Sequence, residues 1–134
     1  MREFYLTTVT NPAARRYLAQ MRTSTAPLRA LLHHHGLADS PLCVHCNMQA
    51  PDDQSHVLWD CPVFEAPRQR LLRVARPEWQ RTMVADWSHA DRNERTSWLL
   101  DCHRVCRALG EYLVAVFTIR TRLEHASLPL SPPQ

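Results

Sequence analysis

The sequence predicts a mainly helical single domain with a Cys3His zinc-knuckle-like loop between helices, and three observations predict it. Cys43, Cys46, His56 and Cys61 form a C-x2-C-x9-H-x4-C pattern inside nineteen residues. Only two glycines occur in 134 residues although 45% are apolar, and helix-rich proteins do without glycine where sheet-rich ones usually cannot. Apolar residues also recur at three-four spacing behind cap signals along most of the chain. At this length one core is expected, over residues 1–125, with the zinc module at about 40–64 and a proline-rich disordered tail at 126–134.

Asn11-Pro12 opens the first helix, an Asn cap before a first-turn proline, and Tyr17, Leu18 and Met21 share a face up to about Arg22. Thr25 is a candidate cap for a second helix with Leu28, Leu31 and Leu32 inward, and Gly36 sits where a left-handed C-terminal cap is needed. His33, His34 and His35 then mark that helix's end, where imidazoles complement the dipole, rather than a second metal site. Asp53 or Ser55 can cap a short helix carrying His56. Pro62 pushes Cys61 off the helical path. On an unbroken helix His56 and Cys61, five apart, would sit ~140° apart, so a break at Cys61-Pro62 is what lets both reach one ion.

Pro67 suits the first turn of a third helix running to about Arg76, with Leu71, Leu72 and Ala75 inward, Phe64 packing just before it, and Arg70 and Arg73 outward. Arg68 falls within the apolar stripe, so its stem should pack while its head meets a carboxylate or carbonyl. Pro77 is expected to end this helix, and Trp79, Met83, Val84 and Trp87 to form an apolar patch beyond it. Asp91-x-x-Glu94 reads as a variant capping box opening the longest helix, whose stripe of Trp98, Cys102, Val105, Leu109, Tyr112 and Val116 should carry most of the core.

Four soft ligands at short spacing suit a closed tetrahedral Zn2+ site. Turn residues flank the cysteine pair, and no apolar periodicity accounts for the four positions otherwise. With three thiolates and one imidazole the loaded site carries about −1 charge, and binding worth on the order of 10 kcal/mol rivals a small domain's whole stability. His45 lies inside the C-x-x-C turn, whose side chains are expected to point outward while backbone N–H groups face the sulfurs. Cys102 and Cys106, one turn apart on the long stripe, read as structural thiols.

The four ligands leave no coordination position for substrate or water, and no nucleophile elbow, phosphate-binding glycine loop or paired acidic motif is present; a non-catalytic role is expected. All sixteen cations are arginine, against thirteen acids, for a net charge of +3. Arginine's planar fork suits phosphate, although codon composition produces the same bias. The charged start Met1-Arg-Glu-Phe-Tyr-Leu lacks a leader's apolar run, no stretch approaches the ~20 apolar residues of a membrane span, and an odd count of five cysteines suits a reducing compartment. An intracellular protein, nuclear or cytoplasmic and away from membranes, is expected.

The segments Met21-Arg-Thr-Ser-Thr-Ala-Pro-Leu-Arg-Ala-Leu-Leu, Gly36-Leu-Ala-Asp-Ser-Pro-Leu-Cys-Val-His-Cys, His56-Val-Leu-Trp-Asp-Cys-Pro-Val-Phe and Arg68-Gln-Arg-Leu-Leu together resemble the zinc-binding region at the C-terminal end of non-LTR (LINE-type) retrotransposon polyproteins, downstream of the reverse transcriptase. The resemblance covers about residues 12–76. It departs at Asn47, where such sequences commonly hold glycine, a residue that still tolerates a left-handed conformation, and at Arg22-Thr23-Ser24-Thr25, where they usually read Arg-Thr-Gly-His. It implies handling of template RNA or target DNA in target-primed reverse transcription, with no polymerase, endonuclease or ribonuclease H segment in these residues. The expected function is therefore a non-catalytic CCHC zinc-binding domain that binds RNA or single-stranded DNA through Arg15, Arg16, Arg22, Arg68, Arg70 and Arg73. The rivals are a zinc-braced scaffold docking onto other domains of such a polyprotein, and an inactive transposable-element remnant.

Overall fold

The computed structural model describes residues 8–127; the expected tail lies mostly outside them, and where it overlaps them, at residues 126 and 127, the last helix is still continuing. Among the described residues five complete α-helices form: α1 (Pro12–Arg22), α2 (Arg29–His34), α3 (Glu65–Thr82), α4 (Arg92–Asp101) and α5 (Cys106–Ser127). Helix α5 is the axis, packed by α1, α3 and α4. Its Leu109-Tyr112-Leu113-Val116 stripe, with Val105 just before the helix, is buried against Leu18, Met21, Phe64, Leu71 and Leu99. Gly110 permits the closest approach: a Cβ there would lie 3.1 Å from that of Ala14 on α1. Tyr17 and Phe117 stack across the same seam at 4.4 Å.

Asn11 caps α1 as expected, accepting from the N–H groups of Ala13 and Ala14 at 2.9 and 3.1 Å. Gly36, at φ +74°, turns the chain after α2 in the left-handed conformation assigned to it. Thr25 does not cap α2. Instead Asp52, from the far side of the donor loop, accepts the Arg29 N–H on Oδ2 at 2.9 Å and the Ala30 N–H on its carbonyl at 3.1 Å.

Two boundaries differ from the sequence expectation. Helix α3 passes through Pro77 to Thr82, because residues 73 and 77 lie on its exposed face, where water can take the carbonyl that proline leaves unbonded. Trp79 thereby stays in register with Leu72 and Ala75 and is fully buried, whereas Val84 is fully exposed and outside the patch. The long helix expected from residue 91 is two helices, since Cys102 is extended (φ −79°, ψ 112°) and α5 starts at Cys106. The break lets α4 turn Trp98 toward a second cluster of Leu72, Trp79, Trp87 and Ala90. Arg22 seals the end of α4, donating to the Leu100 carbonyl at 2.6 Å and to Asp101 at 2.9 Å.

Asp52 also pairs with Arg120 of α5 through two 2.8 Å bonds, with the residues 0% and 5% exposed. Burial pushes the Asp52 carboxyl up, but the Arg120 guanidinium outweighs it and holds the group below the usual carboxylate range. Asp52→Asn is expected to cost about 3–5 kcal/mol, because a buried guanidinium loses its counter-charge, while Asp52→Leu/Arg120→Met costs less than either single change. A carboxyl depressed in the folded state contributes fully above its unfolded value near ~4, and the contribution vanishes as pH falls through the folded value. Denaturant titrations should therefore show wild type losing stability relative to the double variant as pH falls below about 4, and no such relative change near neutral pH.

Candidate metal centre

The donor loop between α2 and α3 is built in two halves. In the first, Leu42 and Pro51 form an antiparallel bridge, with the Cys43 N–H on the Ala50 carbonyl at 2.9 Å and the Asp52 N–H on that of Pro41 at 2.8 Å. This closes the Cys43-x-x-Cys46 turn upon itself. The His45 N–H faces the Cys43 sulfur at 3.4 Å, the arrangement expected for such a turn. The loop's left-handed residue is Gln49 (φ 53°) rather than Asn47.

In the second half Asp53 Oδ1 caps the His56 N–H at 2.9 Å, and His56–Asp60 form a π turn. The Cys61 N–H reaches the His56 carbonyl five residues back at 2.8 Å. An i to i+5 bond brings residues five apart onto one side of the turn, which removes the ~140° mismatch of an α-helix. Cys61 then leaves in extended conformation (φ −63°, ψ 117°) ahead of Pro62. Both the proline break and the wider turn position this ligand pair; only the break was visible in the sequence.

A π turn at this point strands carbonyl groups. The partner of the Val57 carbonyl would be residue 62, a proline without an N–H. Two side chains substitute. The Tyr112 hydroxyl donates to the Val57 carbonyl, and Arg68, 4% exposed, donates to Leu58 (2.9 Å), Cys61 (2.8 Å) and Val57 (3.3 Å) carbonyls, with its remaining arm on Glu65 at 2.9 Å. Burial holds the Tyr112 phenol up at about 12, so it remains a donor across the neutral range. Arg92 closes the turn from outside, gripping Asp60 with two 2.7 Å bonds.

The outcome is that the sulfurs of Cys43, Cys46 and Cys61 and a ring nitrogen of His56 all lie within 4.8 Å of one another, and the four side chains could hold a metal ion. Cys46 Sγ and His56 Nε2 are 3.4 Å apart. A tetrahedral ion with bonds of about 2.3 Å to sulfur has edges near 3.8 Å, so the spacing fits with little rearrangement. Burial, then the neighbouring thiols, pushes Cys61 up to about 12, and burial likewise raises Cys43. A cation in the cluster reverses that preference and stabilises thiolates. All five cysteines are free thiols.

His45 does not point outward as the turn geometry suggested. Its side chain is 2% exposed and packs toward α5, with Nε2 3.7 Å from Glu124, and burial followed by the Arg120 charge lowers its pKa. It stays outside the donor cluster. Cys106 is buried with its thiol on the His103 carbonyl at 3.1 Å, and Cys102 is half-buried, as structural thiols would be.

The six arginines expected to face nucleic acid are not one surface. Arg68 is consumed by the π turn and Arg22 by the end of α4, while Arg15 donates to the Val9 carbonyl. Arg16 lies over the Tyr17 ring, its Cζ 5.1 Å from the centroid. Arg70 and Arg73 are exposed on α3. Periodicity placed Arg68 inward correctly, and that placement is incompatible with a surface role. Arg120, which sequence reasoning missed, continues the Val105-Leu109-Tyr112-Val116 stripe by one more step of four, and a cation at a core position signals a buried partner.

No family model, curated protein or solved structure matches the chain. Among the described residues no helix is long and apolar enough to cross a membrane. Replacing Arg68 by alanine takes a donor from three carbonyls beside the ligands and leaves that of Leu58 without its side-chain partner, so Arg68→Ala should lower stability by about 3 kcal/mol and weaken metal binding at least tenfold, as read by competition with a chromophoric chelator. Arg70→Ala, on the outer face, should change neither.

Proposed function

We propose that the chain is a non-catalytic, zinc-braced helical domain of the retrotransposon type, binding RNA or single-stranded DNA. The observation that carries this reading is the convergence of three sulfurs and one imidazole within 4.8 Å. Thiolate-rich four-donor sets suit zinc, and four protein ligands leave no position for substrate, which is the pattern of a structural rather than a catalytic ion. The resemblance of residues 12–76 to the zinc-binding region of LINE-type polyproteins supports the nucleic-acid role.

The cations supporting that role are fewer than the sequence suggested. Arg70, Arg73 and Arg76 project at three-residue intervals from the exposed side of α3, the helix that follows the last ligand, and none of them is paired with a carboxylate among the described residues. A row of guanidinium groups on a helix anchored by the ion is suited to successive phosphates.

One observation favours the scaffold reading as a second possibility: Arg22, Arg29, Arg68, Arg92 and Arg120 all have their head groups bound within the fold. In that reading zinc braces a surface for other protein domains, and arginine serves architecture.

Metal analysis should find one zinc per chain, and cobalt substitution should give sulfur-to-cobalt absorption that Cys61→Ser reduces. Affinity of the metal-loaded protein for a single-stranded oligonucleotide should fall linearly with the logarithm of salt, and Arg70→Ala/Arg73→Ala should flatten that slope by about 1.4, given ~0.7 per phosphate contact on single strands. A metal-loaded domain with no measurable oligonucleotide binding at low salt would favour the scaffold.

A further inference from the structure

All four tryptophans of the chain meet in one cluster. Trp79 lies edge-on to Trp87 and Trp98 at 5.3 and 5.2 Å, and Trp59 edge-on to Trp87 at 5.7 Å. Arg95 of α4 lies over two of these rings, its Cζ 5.2 Å from the Trp59 centroid and 5.3 Å from that of Trp87. Contact with both ring faces positions the guanidinium group. Yet its Nε is buried without a partner, and no described residue accepts a hydrogen bond from this head group. A half-buried guanidinium whose Nε is shielded from water and has no acceptor is an incomplete arrangement.

The missing acceptor has a place to sit. Arg95 borders a cavity of about 240 Å³ that Arg76 enters from α3 and Arg92 from the start of α4, with Trp59 and Trp87 in its wall. Arg68 and Arg92, which also border it, are balanced by Glu65 and Asp60. Arg76 and Arg95 have no carboxylate partner among the described residues, so the cavity carries two surplus positive charges.

We propose that this cavity is a phosphate-binding site, filled in the reading above by one phosphodiester of a single-stranded nucleic acid. The identification of the strand rests on the proposed function; the anion site rests on the cavity alone. The volume lies below the ~300 Å³ at which pockets begin to enclose a drug-sized ligand, which suits a phosphate group. The unmatched guanidinium groups come from two helices and approach from two sides. A tetrahedral phosphate accepts from several directions, whereas a side-chain carboxylate offers one plane. The site lies along α3 from Arg70 and Arg73, so a strand crossing that helix can deliver a phosphate to it.

Indole fluorescence reads the site directly, because every tryptophan belongs to the cluster beneath it. The metal-loaded full chain is titrated at low salt with inorganic phosphate, with an octathymidylate, and with chloride at matched ionic strength. Phosphate and oligonucleotide should perturb the emission saturably and chloride should not. Arg95→Gln and Arg76→Gln should each weaken both ligands about tenfold, the loss associated with one charge-assisted hydrogen bond. Arg76 is exposed and makes no fold contact of this kind, so its variant keeps the test valid even if Arg95→Gln fails to fold. Phosphate binding without oligonucleotide binding supports the anion site and overturns its nucleic-acid occupant. Oligonucleotide binding insensitive to both substitutions overturns the site while leaving the proposed function intact. Failure of both ligands, or an equal response to chloride, overturns the proposal outright.

Discussion

The bidentate contact between Arg120 and Asp52 joins the parts of this molecule that have no other reason to be adjacent. Its carboxylate is shared with the first N–H of α2, its backbone belongs to the donor loop, and its guanidinium partner stands on the central helix. Burying such a pair adds little net stability compared with apolar residues of the same shape. What it provides is register: only one placement of the loop on α5 neutralises both charges. Arg120 also lies close enough to Cys43 to feel a charge there, so the same cation would compensate the anionic character of a metal-thiolate cluster.

A second guanidinium performs the complementary task on the other half of the loop. The π turn is unfavourable in isolation, because it leaves carbonyl groups that Pro62 and the chain reversal cannot satisfy. Arg68 and Tyr112 satisfy them from inside the fold. The donor cluster is thus gripped from two sides by arginines, and the chain's avoidance of lysine has a structural explanation at these positions: a planar fork can serve three carbonyls or one carboxylate bidentately, and an ammonium cannot.

The helical class, the four clustered side chains, the cap at Asn11, the turn at Gly36 and the inward placement of Arg68 were all legible in residue order, because each follows from local spacing or from the conformational range of one residue. The misses share a different origin. Nothing in Asp101-Cys102-His103-Arg104 announces a helix break; it lets Trp98 also reach the second cluster while Val105 stays in the main core. The continuation through Pro77 depends on which face of α3 meets solvent. The π turn depends on side chains 7 to 55 residues away, and the capping of α2 by Asp52 on a residue 23 positions distant. Local patterns locate donors and acceptors, but pairing them requires knowing which surfaces meet.

The chain distance between the loop and its anchors has a consequence during synthesis. Tyr112 and Arg120 follow their loop partners by 55 and 68 residues, an interval of roughly several seconds at ribosomal speeds. The four donors therefore emerge from the ribosome well before the helix that secures them. An ion held by the four donors at that stage would be the loop's chief source of order, and α5 would then close over a centre already assembled.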